Sequence, residues 1–461
     1  MKKYLRSGLD SISNLKNLNR NIALILIPLI AIFLIKLYFV HPSFSDENIY
    51  YSMGKVINEG QKPYYDFNFV HPPIQVFLLA AIFKIFGTSL FAAKFLPLIS
   101  GSSVVVLMFL ISKKMFAEKS AFVSSLLFMI TPVFLAFSDQ GYGIWEALMF
   151  LFLSFYFSLK GRYFASGILF SIAVFIRYLS ALFFPLILLT LLLQKLKWKR
   201  FLISSIIFSG IFFLSFYLIY GFNFVDQSLL FQLFAKTNPK ILPKLPLQYL
   251  GFGFFSIFLA LVSLVVGITK KEKFVILFSL YPLLIDALIF SGFTVIIYHY
   301  FLISFAFLFL AVGKSFILVK DKIIQLGIIG IILVSIYHNL PTIDYYQNPA
   351  FSQHIFEITD FVSNETSKSD KIFGESSITT YILFTKGIPI SFNYLDSFIS
   401  YLVYKDEKSV VANLEKEKPK IIIDMNSYYE GNAVFNSYLT EKYQKEKVFV
   451  GIPTYIVYVR K

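Results

Sequence analysis

Long apolar runs separated by short basic tracts fill the first three quarters of this 461-residue chain. A helix needs about 20 mostly apolar residues to cross a bilayer. Only 15% of the residues are charged, whereas about a quarter of an average globular chain is charged. The chain is therefore predicted to be an α-helical polytopic membrane protein with about eleven transmembrane helices. The predicted spans are 21–40, 90–112, 120–137, 143–159, 163–177, 179–194, 201–220, 249–267, 274–291, 296–313 and 323–340.

The basic tracts predict how the chain is oriented in the membrane. Lysine and arginine are enriched in cytoplasmic loops, and here they follow the second, fourth, sixth, eighth and tenth runs. All of these tracts lie inside if the N-terminus is cytoplasmic, which puts the C-terminus outside. The first run is interpreted as an uncleaved helix because no small-residue cleavage motif follows it. The net charge of +15 thus fits a membrane protein and does not indicate a nucleic-acid partner.

Two segments test this scheme. Residues 72–86 are apolar but too short for a span, and counting them would invert every later tract. We therefore expect an interfacial or re-entrant helix there. The stretch 163–194 could form one long helix with Arg177 in its middle. Because a lone arginine at mid-bilayer is costly, a hairpin with Arg177 at its outer turn is favoured.

The character of the chain changes after the last span. Polarity rises from Asp344 onward, and short strand patterns alternate with amphipathic helices. We expect strands at 371–377, at 420–425 and near the C-terminus, with helices at 353–366, 408–417 and 432–443. Residues 341–461 are thus predicted to form a small extracytoplasmic α/β domain. This region has no Walker or G-x-G-x-x-G motif, which argues against a nucleotide site.

The first outer loop, residues 41–89, carries the most polar side chains. Asp46 and Glu47 are adjacent and close to the outer end of the first span. Partial desolvation at the lipid–water boundary raises the pKa of a carboxylate and makes it a better base. Alternatively, the two acids cap a helix over 46–59. Further along the loop lie Tyr65 and Asp66, and then His71 before two prolines.

Other outward charges are expected on the same face. Glu146 begins an apolar run, where a carboxylate is costly without a partner, and Arg177 lies at the proposed hairpin turn. Lys236, Lys240 and Lys244 break the positive-inside rule and suit a lipid phosphate, or they belong to an ordinary solvated loop. His299 precedes a span and is either structural or functional. The pattern favours chemistry on a lipid-linked phosphate over transport, which needs charges at mid-membrane.

Several motifs resemble those of a known family. They are SDENIYY at 45–51, GQKPYYDF at 60–67, HPPI at 71–74, and the runs 145–163, 175–185 and 298–311. These segments resemble the GT-C glycosyltransferases, in particular the protein O-mannosyltransferase and aminoarabinose transferase group (glycosyltransferase family 39-like). The resemblance implies a GT-C-like transmembrane catalytic domain over residues 1–340, followed by the α/β domain at 341–461.

The resemblance also implies a reaction and its residues. A sugar would move, with inversion, from a polyprenyl-phosphate donor to an acceptor hydroxyl on the extracytoplasmic face. Asp46 would be the general base, and Glu47 would support it or bind substrate. His71 stands where the family has lysine, and it would contact the donor phosphate. The remaining substrate- or phosphate-binding candidates are Tyr65, Asp66, Glu146, Arg177, Lys236, Lys240, Lys244 and His299.

Several questions stay open at this level. The acceptor is a protein, a lipid or a glycan, and the sugar is not specified. A divalent cation, Mg²⁺ or Mn²⁺, stays undecided because one acidic pair is a poor ligand set for either ion. The alternative functions are a lipid-linked glycan transporter, a polymerase or ligase, and an inactive GT-C-like scaffold.

Overall fold

The computed structural model describes residues 22–234, 247–292, 298–392, 395, 407–425, 433–450 and 454–461. At 247–254, 290–292, 298–299 and 407 it describes the backbone alone. The first three quarters of the described chain are almost entirely helical. In chain order the helices are α1 Ile22–Tyr38, α2 Glu47–Asn58, α3 Ile74–Phe86, α4 Leu90–Met115, α5 Glu118–Met129, α6 Pro132–Phe137, α7 Ile144–Leu159, α8 Tyr163–Ile176, α9 Phe184–Leu193, α10 Trp198–Phe224, α11 Phe231–Phe234, α12 Leu247–Thr269, α13 Lys273–Gly292, α14 Leu302–Leu318, α15 Lys322–His338 and α16 Leu340–Gln347.

The helix boundaries follow the apolar runs closely. α8 ends at Ile176, and Arg177 has an extended backbone with φ −146° and ψ 117°. The 3₁₀ helix Tyr178–Phe183 then leads into α9, so the proposed break at Arg177 is present. α3 begins directly after Pro73 and has 13 residues. At a rise of about 1.5 Å per residue such a helix is too short to span a bilayer.

Membrane crossing is supported most directly by two helical segments. Among the described residues, Leu90–Met115 and Trp198–Phe234 are long and apolar enough to span. The pair α15 and α16, bent by 54°, would make a third span if taken together. Most of the other apolar helices have 10–17 residues. The eleven crossings and their orientation stay a prediction.

The helical core is packed mainly by aromatic side chains. The Phe183 and Phe307 rings stack with centroids 5.1 Å apart, and such pairs add to the gain from burying apolar area. Small residues bring α5 and α14 together: a Cβ added at Gly313 would lie 2.5 Å from the backbone nitrogen of Ser124. Close backbone approach through small residues is a common basis of helix packing in membranes.

The C-terminal part is an α/β unit built on a four-stranded sheet. Its strand order is β1-β2-β4-β3, with β1 parallel to β2 and the other pairs antiparallel. Apolar side chains of the helices pack on both faces of the sheet. The elements are α17 Gln353–Glu365, β1 Ile372–Gly374, α18 Ser376–Lys386, α19 Glu407–Glu417, β2 Ile421–Met425, α20 Ala433–Lys442, β3 Tyr443–Phe449 and β4 Tyr455–Arg460.

Helix α18 of this unit packs against α2 of the first outer loop. Asn48 donates a hydrogen bond to the Ser377 carbonyl at 2.9 Å. About two turns further along α2, Lys55 donates to the Leu383 carbonyl at 2.8 Å near the end of α18. The C-terminal part therefore contacts the same helix that begins at the acidic pair.

Candidate active site

Asp46 is the residue immediately before α2, and its side chain is exposed. Within α2, whose residues are all described, no backbone N–H donates a capping hydrogen bond to this side chain. The alternative in which Asp46 serves as a helix cap therefore lacks its defining contact. Asp46 therefore stands at the start of α2, exposed and without capping the helix.

Glu47, the next residue, has the opposite environment. It is 0% exposed, and Lys94 Nζ lies 2.7 Å and 2.9 Å from its two carboxylate oxygens. Ser43 and Tyr51 donate hydroxyl hydrogen bonds to it, and the Gly141 N–H donates another at 3.2 Å. Of the two roles expected for Glu47, support of Asp46 fits this burial, whereas direct contact with substrate does not.

A second buried ion pair adjoins the first. Lys36 Nζ lies 2.7 Å from Asp139 Oδ1, and Lys94 lies 3.6 Å from Asp139 Oδ2. Burial alone would raise the pKa of Asp139, but Lys36 and Lys94 hold it well below its usual range. We call Lys36, Glu47, Lys94 and Asp139 the ion network. It contains two positive and two negative charges and is therefore balanced.

Next to Tyr50 of α2, an arginine is held against an aromatic ring. Arg177 is 7% exposed, and its guanidinium carbon lies 4.9 Å from the centre of the Tyr50 ring. It donates a hydrogen bond to the Tyr142 carbonyl. Among the described residues no partner accepts from its Nε, and none binds Oε2 of Glu146, which is 1% exposed. Two buried polar atoms of opposite character are thus unsatisfied here.

His71 lies next to the same tyrosine. Its ring centre is 5.7 Å from that of Tyr50, and its Nδ1 lies 3.3 Å from the Gln232 amide nitrogen. We call Tyr50, His71, Glu146 and Arg177 the arginine cluster. Burial raises the pKa of Tyr50 to about 12, so its hydroxyl keeps its proton at neutral pH. Asp46 is four residues before Tyr50, and residues at this spacing share one helix face.

The loop that carries His71 is held in place by its own buried tyrosine. Tyr64 has a φ of +69°, a conformation that costs energy for a residue other than glycine. This conformation buries the ring and lets its hydroxyl donate to the His71 carbonyl at 2.6 Å. Gln227, which follows the end of α10, donates a hydrogen bond to the Tyr64 carbonyl at a distance of 3.1 Å. The unfavourable backbone conformation of Tyr64 therefore occurs at the residue whose hydroxyl holds the His71 backbone.

Tyr65 and Asp66 lie on the outer surface of this loop. Asp66 is exposed, and its carboxylate accepts from the Lys62 backbone N–H at 2.6 Å, which closes the turn over 62–66. Tyr65 is also exposed and approaches the Tyr220 ring, with centroids 6.3 Å apart. The structure therefore gives Asp66 a turn-forming contact and does not bring it into the arginine cluster.

Comparison with known proteins connects this geometry to a family. Residues 70–221 match the family described as dolichyl-phosphate-mannose-protein mannosyltransferase. The matched region contains His71, Glu146 and Arg177 but begins after Asp46. No curated protein sequence matches the chain.

Solved structures match over almost the whole chain. ArnT from Cupriavidus metallidurans bound to undecaprenyl phosphate matches with a TM-score of 0.67 and 10% identity, covering 95% of this chain and 97% of ArnT. The same protein in its apo state gives 0.65 at 11% identity, with the same coverage. The chain has a GT-C glycosyltransferase fold that resembles ArnT.

A second GT-C relative matches over a smaller share of its length. The oligosaccharyltransferase AglB from Archaeoglobus fulgidus, in complex with an inhibitory peptide and a dolichol-phosphate, has a TM-score of 0.52. Its identity is 12%, and the match covers 95% of this chain and 74% of AglB. At these identities the likeness shows the GT-C fold and leaves the substrates of this chain to be argued from its own residues.

Some predicted site residues lie outside the described part of this GT-C chain. They are Lys236, Lys240, Lys244 and the side chain of His299. Their phosphate-binding roles stay predictions. In the described residues, no three His, Asp or Glu side chains converge as a metal site would require.

Sequence interpretation missed Lys94 and the role of Lys36. Both stand inside predicted spans, where a lysine needs a buried partner, and that cost was the available signal. Their partners are 47 and 103 residues away in the chain, so local pattern could not identify them. Tyr50 was also missed, because a tyrosine in an aromatic-rich loop has no distinctive spacing.

Proposed function

We propose that this protein is a membrane glycosyltransferase that moves a sugar from a polyprenyl-phosphate donor to an acceptor hydroxyl, with Asp46 as the general base. The observation that carries the proposal is the arrangement around Tyr50. Asp46, which is exposed, precedes Tyr50 by one helical turn, and the Tyr50 ring contacts the buried Arg177, whose Nε has no hydrogen-bond partner among the described residues. This arrangement supports a base and an anion-binding group that both adjoin Tyr50.

The reaction follows from these two groups. Asp46 accepts the proton of the acceptor hydroxyl, and the acceptor oxygen forms a bond to the anomeric carbon. The bond between that carbon and the phosphate oxygen breaks, and its electron pair leaves with the polyprenyl phosphate. Direct displacement inverts the anomeric configuration. General-base catalysis of this kind contributes typically 10²–10⁴-fold.

Arg177 and His71 are proposed to bind the donor phosphate. A guanidinium forms strong, directional hydrogen bonds to phosphate oxygens, and charge developing on a leaving phosphate is stabilised by such preorganised donors. The Tyr142 carbonyl and the Tyr50 ring fix the plane of the Arg177 guanidinium. Lys236, Lys240 and Lys244 would add positive charge, and Glu146 would line the cavity beside Arg177.

The undecaprenyl phosphate in the ArnT structure and the dolichol-phosphate in the AglB structure support a polyprenyl-phosphate donor here. We place the reaction on the extracytoplasmic face, with the N-terminus cytoplasmic and residues 341–461 forming an extracytoplasmic domain, because the basic tracts follow the positive-inside rule. An acceptor protein, lipid or glycan would approach Asp46 from the side of α18. The identity of the transferred sugar is to be determined by the transfer assay.

The decisive experiment measures sugar transfer in liposomes by the purified full chain. A panel of undecaprenyl- and dolichyl-phosphate sugars is offered with peptide, lipid and glycan acceptors, with and without EDTA. Asp46→Asn is compared with Glu59→Gln, which changes an exposed carboxylate at the other end of α2. We expect Asp46→Asn to lower transfer at least 100-fold and Glu59→Gln to keep it.

The outcomes separate the parts of the proposal. Transfer that is equal in wild type and Asp46→Asn would remove Asp46 as the base while keeping the enzyme class. A wild-type protein that neither transfers, hydrolyses nor binds any donor would overturn the glycosyltransferase assignment. Loss of transfer in EDTA that Mg²⁺ or Mn²⁺ restores would add a divalent cation to the reaction.

A further inference from the structure

Lys94 is a buried, charged residue near the start of the long and mostly apolar helix α4. It lies in α4, is 1% exposed, and bonds both oxygens of Glu47. Taking a lysine and a glutamate out of water costs several kcal/mol each, and their attraction repays this only with excellent geometry. A pair of apolar residues would fill the same space without that cost. The pair therefore needs a reason beyond filling the core.

The position of Glu47 supplies that reason. It is the first residue of α2 and is joined by a peptide bond to Asp46. Two bonds from Lys94, together with hydroxyl hydrogen bonds from Ser43 and Tyr51, fix the Glu47 carboxylate from three directions. Whatever holds Glu47 also holds the backbone that carries the proposed base.

The same carboxylate reaches the phosphate-binding side of the site. Glu47 accepts from the Gly141 N–H, and the next residue, Tyr142, accepts from Arg177. Space at this point is tight, because a Cβ at Gly141 would lie 2.4 Å from a ring carbon of Tyr51. A continuous path thus runs from Lys94 through Glu47 and residues 141–142 to Arg177.

We propose that Lys94 is a positioning residue, which fixes Asp46 and Arg177 relative to each other through Glu47. This inference rests on the proposed function, because it assigns Lys94 a role in placing the base and the phosphate-binding group. Lys94 itself touches neither reacting group. Its effect on the rate comes from geometry, and a misplacement of about 1 Å can cost on the order of 100-fold.

The ion network contains a matched control. Lys36 is also buried, but its hydrogen bond at 2.7 Å goes to Asp139 and not to Glu47. Lys94→Met and Lys36→Met therefore remove the same charge from the same network, and only Lys94→Met releases Glu47. Both variants are expected to lower the thermal midpoint, because each takes the nearest cation away from a buried carboxylate.

The test is the turnover number per folded protein in the liposome assay. We expect Lys94→Met to lower kcat on the order of 100-fold and Lys36→Met to change it by less than about threefold. The double variant Glu47→Gln/Lys94→Met removes both charges, so its thermal midpoint should recover toward wild type. Its kcat should stay low, because the amide lacks the anchoring charge. Lys94→Arg should recover part of the rate.

Two results would overturn the proposal. One is equal loss of kcat in Lys36→Met and Lys94→Met, which would make both lysines stabilising groups only. The other is recovery of kcat together with the thermal midpoint in the double variant, which remains informative if Lys94→Met fails to fold. Asp46→Asn is run beside them: if it lost activity while Lys94→Met kept it, the positioning role would fail and the proposed function would stand.

Discussion

The ion network and the arginine cluster both adjoin α2 and differ in how completely their polar atoms are bonded. In the ion network each charge has an opposite charge within 4 Å. In the arginine cluster, Arg177 Nε and Glu146 Oε2 are buried with no partner among the described residues. A satisfied buried network makes a rigid frame, and an unsatisfied one is costly unless something completes it. We therefore expect the ion network to act as a frame and the arginine cluster to bind a ligand.

The largest expected effect tests whether the ion network is a frame. Asp139→Asn leaves Lys36 buried without its charged partner. Breaking a buried pair in this way typically costs about 3–5 kcal/mol, so the thermal midpoint in detergent should fall clearly. The exposed Asp344→Asn is the control and should stay within about 0.5 kcal/mol of wild type. An unchanged midpoint for Asp139→Asn would show that the network does not stabilise the fold.

The next prediction tests the arginine cluster as a ligand site. Arg177→Gln should lower transfer on the order of 100-fold and weaken binding of undecaprenyl phosphate, because the phosphate loses its guanidinium partner. The thermal midpoint should change little compared with Asp139→Asn. Arg162→Gln, at the exposed opposite end of α8, should keep full activity. Loss of stability without loss of phosphate binding would make Arg177 part of the frame instead.

The smallest expected effect sharpens the contrast between the two regions. Glu146→Gln makes the same acid-to-amide change as Asp139→Asn, but at a carboxylate with an unbonded oxygen. Because burying a carboxylate oxygen without a hydrogen bond is costly, the amide should leave the stability unchanged or raise it by about 1 kcal/mol. The thermal midpoint should accordingly stay the same or rise. A fall as large as that of Asp139→Asn would mean that Glu146 is firmly paired in the folded protein.

Local physical rules were enough to predict much of the fold. The cost of an arginine at mid-bilayer predicted the break between α8 and α9, which the structure places at Arg177. The short apolar segment at 72–86 is the separate 13-residue helix α3, while its position relative to the bilayer stays a prediction. A short apolar run at 420–425 predicted a buried strand, which is β2 at Ile421–Met425.

The site was harder to predict because its key contacts join distant parts of the chain. Asp46 and Arg177 stood out because charge at a membrane surface is conspicuous. Lys94 did not, since averaging hydropathy over a long run hides one lysine, and only the fold reveals Glu47 as its partner. The sequence also did not predict that Asp46 is exposed and Glu47 is buried. Adjacent residues at the start of a helix point in different directions, and the fold decides which of them faces the core.

The contact between α2 and α18 has a consequence for how the protein is made. Asn48 and its acceptor at residue 377 are separated by 329 positions. At roughly 5–20 residues per second of synthesis, α2 leaves the ribosome some tens of seconds before its partner α18 exists. During that interval the nascent chain holds the loop with the proposed base without the surface that later covers α2. A ribosome that stops before the last quarter of the message therefore releases a chain that has α1 to α16 but lacks the support of α2.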